Sequence, residues 1–512
     1  MLNHFFKRPR SSRHHPRVRS TDWPQRQWSI AACLLVACTS QQMAKGEEPN
    51  RSYAVIIANA TLSDPEWKDV ARTLQQKHAA EIITFNDSLN ETLPALQERH
   101  PAYLCWVARS SEVGRQQVAE MHSLCRQIDT DPYYDCVWGI LTGYEAADAQ
   151  RIADRRDPLI VSRVGSGTEV ELELCQQGQW FCELVRGKHV VKNVDGKVEQ
   201  RDGPADTTSA LASLLTDYKA DLFVTSGHAT ERNWQIGFRY RNGYFVSKAG
   251  QLYGRDTKGT EFPIQSDHTR VYLPIGNCLM GHIDGPDAMA LAWMHSAGVH
   301  QMIGYTVPTW YGYAGWGMLD YFVEQPGRYT FAESFYVNQQ ALIHRLHTYF
   351  PDVAERAATP GKMDRQDITC GEAAQLAGLS NMDGTGLLFD RDVVAFYGDP
   401  AWESRMADGP QHWEQSLKQT GNRYTFRIAP LMGQESYVMV NKNGAQRGGR
   451  PIVARLDHRV ENVRILEGKK YAPVVADDFI LVPRPDPSNR QPIEIVFEAD
   501  PVLTGRTQEG KQ

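Results

Sequence analysis

The chain lacks a membrane-length apolar run. Its leader run, Trp28-Ser-Ile-Ala-Ala-Cys-Leu-Leu-Val-Ala-Cys38, falls far short of the ~20 residues a bilayer span requires. It lacks an excess of basic charge. The formal net charge is -6, which argues against nucleic acid as the main partner. No Cys-x-x-Cys or His-x-x-x-His spacing occurs, so no structural zinc is expected. No periodic repeat or low-complexity tract is visible. With 41% hydrophobic and 23% charged residues, collagenous and wholly disordered chains are excluded. What remains is a globular protein whose 512 residues exceed one compact core, so two or three domains are expected.

The charge it does carry is uneven. Lys7, Arg8, Arg10, Arg13, Arg17, Arg19 and Arg26 face the single acid Asp22, and the apolar run to Cys38 follows. A basic flank before a short apolar core is the pattern of a secretory leader. Leu35-Val-Ala-Cys38 resembles a bacterial lipobox. The resemblance implies export to the periplasm or outer surface, with membrane attachment through a lipidated Cys38. Export leaves seven of the nine cysteines beyond Cys38, and an odd number points to one free thiol. Cys175 and Cys182 are spaced to close a small hairpin.

From residue 51, strands alternate with helices. Strands are expected at 51–58, 81–85, 102–108 and 135–143. Helices are expected at 64–78, 93–100 and 113–125, the first capped by Ser63 or Asp64 with Pro65 in its first turn. This alternation predicts βαβ units and a mainly parallel sheet flanked by helices. Residues 159–201 read as a β-rich connection, with strands at 170–175 and 188–194. Helices are expected again at 207–218, 286–297, 313–322 and 331–349. Beyond residue 420 helical periodicity stops. Six short runs at 424–429, 436–441, 451–456, 462–466, 478–482 and 493–497 predict an immunoglobulin-like β-sandwich.

Two stretches carry chemistry. Asp221-Leu-Phe-Val-Thr-Ser-Gly-His-Ala-Thr230 and Arg270-Val-Tyr-Leu-Pro-Ile-Gly-Asn-Cys-Leu-Met-Gly281 are apolar runs ending in small residues. Each delivers one reactive side chain, His228 and Cys278, at the rim where open α/β sheets bind ligands. Fifty residues separate them, enough for one strand–connection–strand passage. A thiol and an imidazole at neighbouring strand ends suit nucleophilic acyl transfer. Backbone N–H groups of Cys278 and Ala229 are the oxyanion donors this arrangement offers. Asp284, Trp310 and Tyr311 are pocket candidates, within an aromatic group that also holds Tyr313 and Trp316. Glu145 and Asp221 are candidates to orient the histidine.

Thr225-Ser-Gly-His-Ala229 followed by Pro274-Ile-Gly-Asn-Cys278 resembles the signature of the caspase-like cysteine peptidases, and within them the gingipain type. Ala297-Gly-Val-His-Gln-Met-Ile-Gly-Tyr-Thr306 and Phe396-Tyr-Gly-Asp-Pro400 resemble that family's next strand and the close of its catalytic domain. The resemblance implies a caspase/gingipain-like sheet in two subdomains, 51–204 and 205–402, after a leader and linker over 1–50, with the β-sandwich over 420–500. It implies an exported cysteine endopeptidase acting on proteins or peptides without cofactor or metal. Ala229 stands where the family has Gly, and Asn277 where it has a small residue. Two alternatives share the same residues: a catalytically silent surface binding protein, and a Cys-dependent amidase or transpeptidase.

Overall fold

Short runs rich in β-branched and aromatic residues open the first half of the sheet. They are β1 (Tyr53–Ala58), β2 (Glu81–Phe85), β3 (Tyr103–Val107) and β4 (Val137–Leu141). Helices Pro65–His78, Leu93–Arg99 and Arg115–Cys125 connect them as expected. The Asp64 side chain caps the first of these by accepting from the Glu66 N–H. Trp67, Val70 and Leu74 form the buried stripe. The computed structural model describes residues 52–363, 368–439 and 449–502; the leader and Cys38 lie outside them. Among the described residues no helix is long and apolar enough to cross a membrane.

The sheet continues with β5 (Arg163–Ser166), β6 (Gln177–Phe181), β7 (Lys188–Lys192), β8 (Val198–Asp202), β9 (Leu222–Thr225), β10 (Arg270–Pro274), β11 (Val299–Tyr305) and β12 (Val394–Tyr397). Their spatial order is β2-β1-β3-β4-β12-β11-β10-β9-β5-β6-β7-β8. Eight of the eleven pairings are parallel. The fold is thus mixed α/β around a large, mostly parallel sheet flanked by helices. β11 and β12 pair antiparallel, so the parallel run β2-β1-β3-β4-β12 runs opposite to the parallel run β11-β10-β9-β5-β6, which β7 and β8 extend as antiparallel strands. The carboxyl ends of β9 and β10 therefore share one edge.

Three local expectations change. Residues 170–175 alternate Val, Glu and Leu, but they form a 3-10 turn (Leu172–Leu174) that buries both leucines, and the strand starts at Gln177. Cys175 and Cys182 consequently flank β6. Five extended residues separate them by about 16 Å, beyond the ~7 Å that a disulfide can span. Helix Asn381–Asp390 went unseen because Gly384 and Gly386 dilute its periodicity. Both positions must be small: a Cβ on Gly384 would lie 2.8 Å from the Phe350 ring, and one on Gly386 2.4 Å from Tyr311.

Between β9 and β10 the chain builds a five-stranded antiparallel sheet, Ala229–Thr230, Asn233–Gln235, Tyr244–Lys248, Gln251–Arg255 and Glu261–Ile264. At the carboxyl end lie two further sheets. One holds Trp413–Thr420, Arg423–Pro430, Ile493–Pro501 and Val460–Glu467; the other holds Ile452–Arg455, Phe479–Val482 and Val474–Val475. Trp413, Phe426, Ile480 and Phe497 share their core. The first strand precedes residue 420, where this region was expected to begin. Of the expected strand at 436–441, residues 436–439 form no strand and the rest lies outside the described residues. Val453, Phe479 and Leu481 belong to the core of the α/β part, so the three-stranded sheet packs directly onto it.

Candidate active site at the rim of the sheet

β9 and β10 run side by side in register, from Leu222 opposite Val271 to Thr225 opposite Pro274. One further rung follows, the Ile275 N–H donating to the Thr225 carbonyl at 2.9 Å. The two chains then turn away from the sheet. On the β9 side Gly227 takes φ +95, a conformation that side chains resist, and His228 follows it, exposed. The His228 ring lies tilted on Phe238, centroids 4.7 Å apart.

On the β10 side Cys278 is half-buried, and its sulfur accepts the Thr309 N–H at 3.2 Å. The next residue, Leu279, is held at φ +58, a left-handed conformation that costs a branched side chain about 1–2 kcal/mol. Such strain concentrates at reactive turns. It persists because the turn is anchored on both sides. The Leu279 N–H donates to the Val307 carbonyl at 3.1 Å, and the Gly281 N–H to the Tyr305 carbonyl at 2.9 Å. Gly281 crosses Gly304 so closely that a Cβ there would sit 2.2 Å from the Gly304 carbonyl oxygen.

Asn277 is the cross-tie between the two turns. Buried, it accepts the Thr225 hydroxyl at 2.7 Å and donates to the Gly227 carbonyl at 3.2 Å. The residue before the cysteine therefore fixes the backbone before the histidine. Nothing in the sequence pattern announced this contact.

Among the described residues, no hydrogen bond joins the His228 ring to the Cys278 sulfur. The other six described cysteines are buried, so Cys278 is the described thiol open to reagents. No acceptor among the described residues pairs with the Cys278 N–H. The Gln235 N–H donates to the His228 carbonyl at 2.8 Å, which makes Ala229 and Trp234 the non-hydrogen-bonded pair of that ladder. The Ala229 N–H is thus directed away from its partner strand.

Neither candidate orienting residue meets the histidine. Glu145 is the exposed N-cap of helix Ala146–Asp154. Asp221 lies at the start of β9, the far end of the strand from His228. It accepts from His268 at 2.8 Å, from the Arg163 N–H at 2.8 Å and from the Ser162 N–H at 3.0 Å. Burial pushes its pKa up, but these hydrogen bonds outweigh burial and hold it below the ordinary carboxylate value. A carboxylate that the fold does bring to the histidine turn is Glu183. Its Oε2 stands 3.9 Å from where a Cβ on Gly227 would lie, and its carbonyl accepts the Phe238 N–H at 2.7 Å. The β6–β7 connection carries it there, and no motif marked it.

The pocket candidates separate. Asp284 is paired with Arg232 through two contacts of 2.6 and 3.0 Å, and this partner holds its pKa down. Its charge is already matched within the chain. Trp310, next to the residue that contacts the Cys278 sulfur, is 57% exposed. Tyr311 packs on Phe389 with centroids 5.7 Å apart, and Tyr313 is buried with its hydroxyl donating to Asp383 at 2.5 Å. Trp316 lies against Gly276, where a Cβ would be 3.1 Å from its Nε1. Trp310 alone of the four is exposed.

No protein-family model matches the chain, and no curated protein matches it. Among solved structures it is similar to the crystal structure of the Arg specific cysteine proteinase gingipain R, at 10% identity and a TM-score of 0.37, over 89% of this chain and 99% of that one. At that level the two chains superpose only loosely, and the functional reading rests on the site's own geometry.

Proposed function

We propose that this chain is an exported cysteine peptidase of the caspase-like, gingipain-related kind, with an immunoglobulin-like domain after its catalytic part. The observation that carries the reading is the cross-tied pair of turns. A half-buried thiol and an exposed imidazole leave adjacent parallel strands, and the Asn277 side chain holds their backbones together. Cys278 attacks the scissile carbonyl carbon as a thiolate. The carbonyl oxygen becomes an oxyanion, which the Cys278 and Ala229 N–H groups receive. His228 gives its proton to the departing amine, leaving a thioester on Cys278. It then takes a proton from water, whose attack breaks the thioester, releases the acid and restores the thiolate beside a protonated imidazole. Substrates are proteins or peptides, with Trp310 as the exposed surface beside the thiol. Glu183 is a positioning residue for the histidine turn. Export follows from the leader, with lipid attachment at Cys38.

The experiment compares wild type and Cys278→Ala on a mixed peptide library, with products read by mass spectrometry. Hydrolysis products from wild type alone support the reading. Equal cleavage by both defeats it, and acyl transfer in place of hydrolysis assigns the same pair to a transpeptidase. A second reading, a silent peptidase-like binding protein, is favoured by one observation: the imidazole and thiol share no hydrogen bond. It predicts peptide binding without turnover by folded, reduced protein.

A further inference from the structure

Cys125 and Cys136 lie on opposite sides of a short acidic loop. Helix Arg115–Cys125 ends at the first, and the second directly precedes β4. The chain returns on itself between them, the Asp135 N–H donating to the Cys125 carbonyl at 3.0 Å. The two side chains are neighbours, close enough for the Cys125 thiol to help push the Cys136 thiol up, and both residues are fully buried. The described cysteines were left unassigned by the sequence, and Cys175 with Cys182 is excluded by β6. This pair has the proximity that the other lacks.

We propose that Cys125 and Cys136 form a disulfide when the chain folds in an oxidising compartment. The oxidant is a disulfide of the thiol-exchange class, a dithiol oxidoreductase or a small-molecule disulfide. One cysteine thiolate attacks it, forming a mixed disulfide and releasing one thiol. The other cysteine thiolate then displaces the second thiol. The chain loses two electrons and two protons, and the oxidant disulfide becomes two thiols. Because both sulfurs end fully buried, exchange precedes closure of the loop, and the finished bond is shielded from reductant.

The loop it closes explains its use. Residues 126–135 contain Asp129, Asp131 and Asp135, and Asp129, Asp135 and Asp477 bring carboxylate oxygens within 4.8 Å of one another. Arg459, near both Asp129 and Asp477, is a cation that meets this concentration of acid. A covalent closure holds a self-repelling loop against the carboxyl-terminal sheets by restricting the unfolded chain.

The test refolds the full chain in glutathione redox buffer, blocks free thiols with N-ethylmaleimide in denaturant and maps tryptic peptides. Trypsin cuts after Arg126, between the two cysteines. Peptides 116–126 and 127–151 should therefore appear joined and lighter by two hydrogen atoms, resistant to reductant until the protein is unfolded. The inference is overturned if both cysteines carry the maleimide, or if either is joined to another cysteine. As a second readout, reduction in mild denaturant should lower the melting temperature of wild type but not of Cys125→Ser/Cys136→Ser. An equal drop in both overturns it, and if the variant does not fold, the wild-type map decides.

Discussion

The two ends of β9 hold imidazoles in opposite states. At the start of the strand, His268 is hydrogen-bonded to Asp221, which also binds Arg163 and two backbone N–H groups. At the end, the exposed His228 ring meets the face of Phe238 and, among the described residues, no hydrogen-bond partner. By bonding alone, the first end resembles a catalytic pair and the second does not. The same holds elsewhere: His78 meets Asp399 at 2.8 Å and His295 meets Asp148 at 3.0 Å, and both stitch elements together. A side chain whose partners are all inside the fold has no capacity left for a substrate. The end proposed as reactive is the one with open valences, a strained turn and a cross-tie that orients the backbone and leaves the ring unbound.

Substitutions at the two ends break this comparison if it is wrong. Cys278→Ala and His228→Ala should each lower kcat/KM by about 10³-fold or more with an unchanged melting temperature, checked by peptide hydrolysis and calorimetry. At the other end, Asp221→Ala should cost about 2 kcal/mol in urea unfolding, because it strands Arg163 and two half-buried backbone donors. The activity per folded molecule should stay at the wild-type level.

The buried histidines give a pH form of the contrast. The His122 Nε2–H donates to the Val394 carbonyl at 2.8 Å, its Nδ1 accepts the Tyr134 hydroxyl at 2.7 Å, and burial pushes its pKa down to about 4. In the unfolded chain it takes a proton near pH 6.5. The stability it supplies is thus present above about pH 6.5 and lost as pH falls toward 4. His122→Gln should remove that dependence. Between pH 7 and 5 wild type should lose about 2 kcal/mol more than the variant, measured by denaturant unfolding at each pH. Asn277→Ala, which cuts the tie between the turns, should lower kcat about tenfold and stability by about 1–2 kcal/mol. The smallest effect belongs to the aromatics. Trp310→Ala should raise KM a few-fold, worth about 1 kcal/mol, at unchanged stability. Tyr311→Ala should instead reduce stability, since its ring packs against Phe389.

The strands bearing the site were readable because each is a short apolar run stopped by small residues. The helix expected at 331–349 is found at Phe331–Tyr349, and the Thr330 side chain caps it by accepting the Glu333 N–H. Two things were not readable. The small sheet between β9 and β10 comes from hairpins whose strands are two to five residues long, too short for a period to show. The partners of the site came from elsewhere in the chain. Glu183 arrives across β6 and β7, and Asn277 resembled a departure because its role depends on a backbone fifty residues away. The Tyr-Gly-Asp-Pro segment was legible as a motif, but its Asp399 is a structural pin. Buried, it receives Tyr53, Lys77 and His78 and is held well below the ordinary carboxylate value.

The central claim, that Cys278 is a nucleophile served by His228, meets its most direct test in alkylation of folded, reduced protein. Iodoacetamide reaction rates would be followed at neutral pH for wild type and His228→Ala, with the labelled peptide identified. The account predicts labelling at Cys278, with the other described cysteines protected by burial, and a rate at least about tenfold lower in the variant. Equal rates, or a label on a different described cysteine, would contradict it.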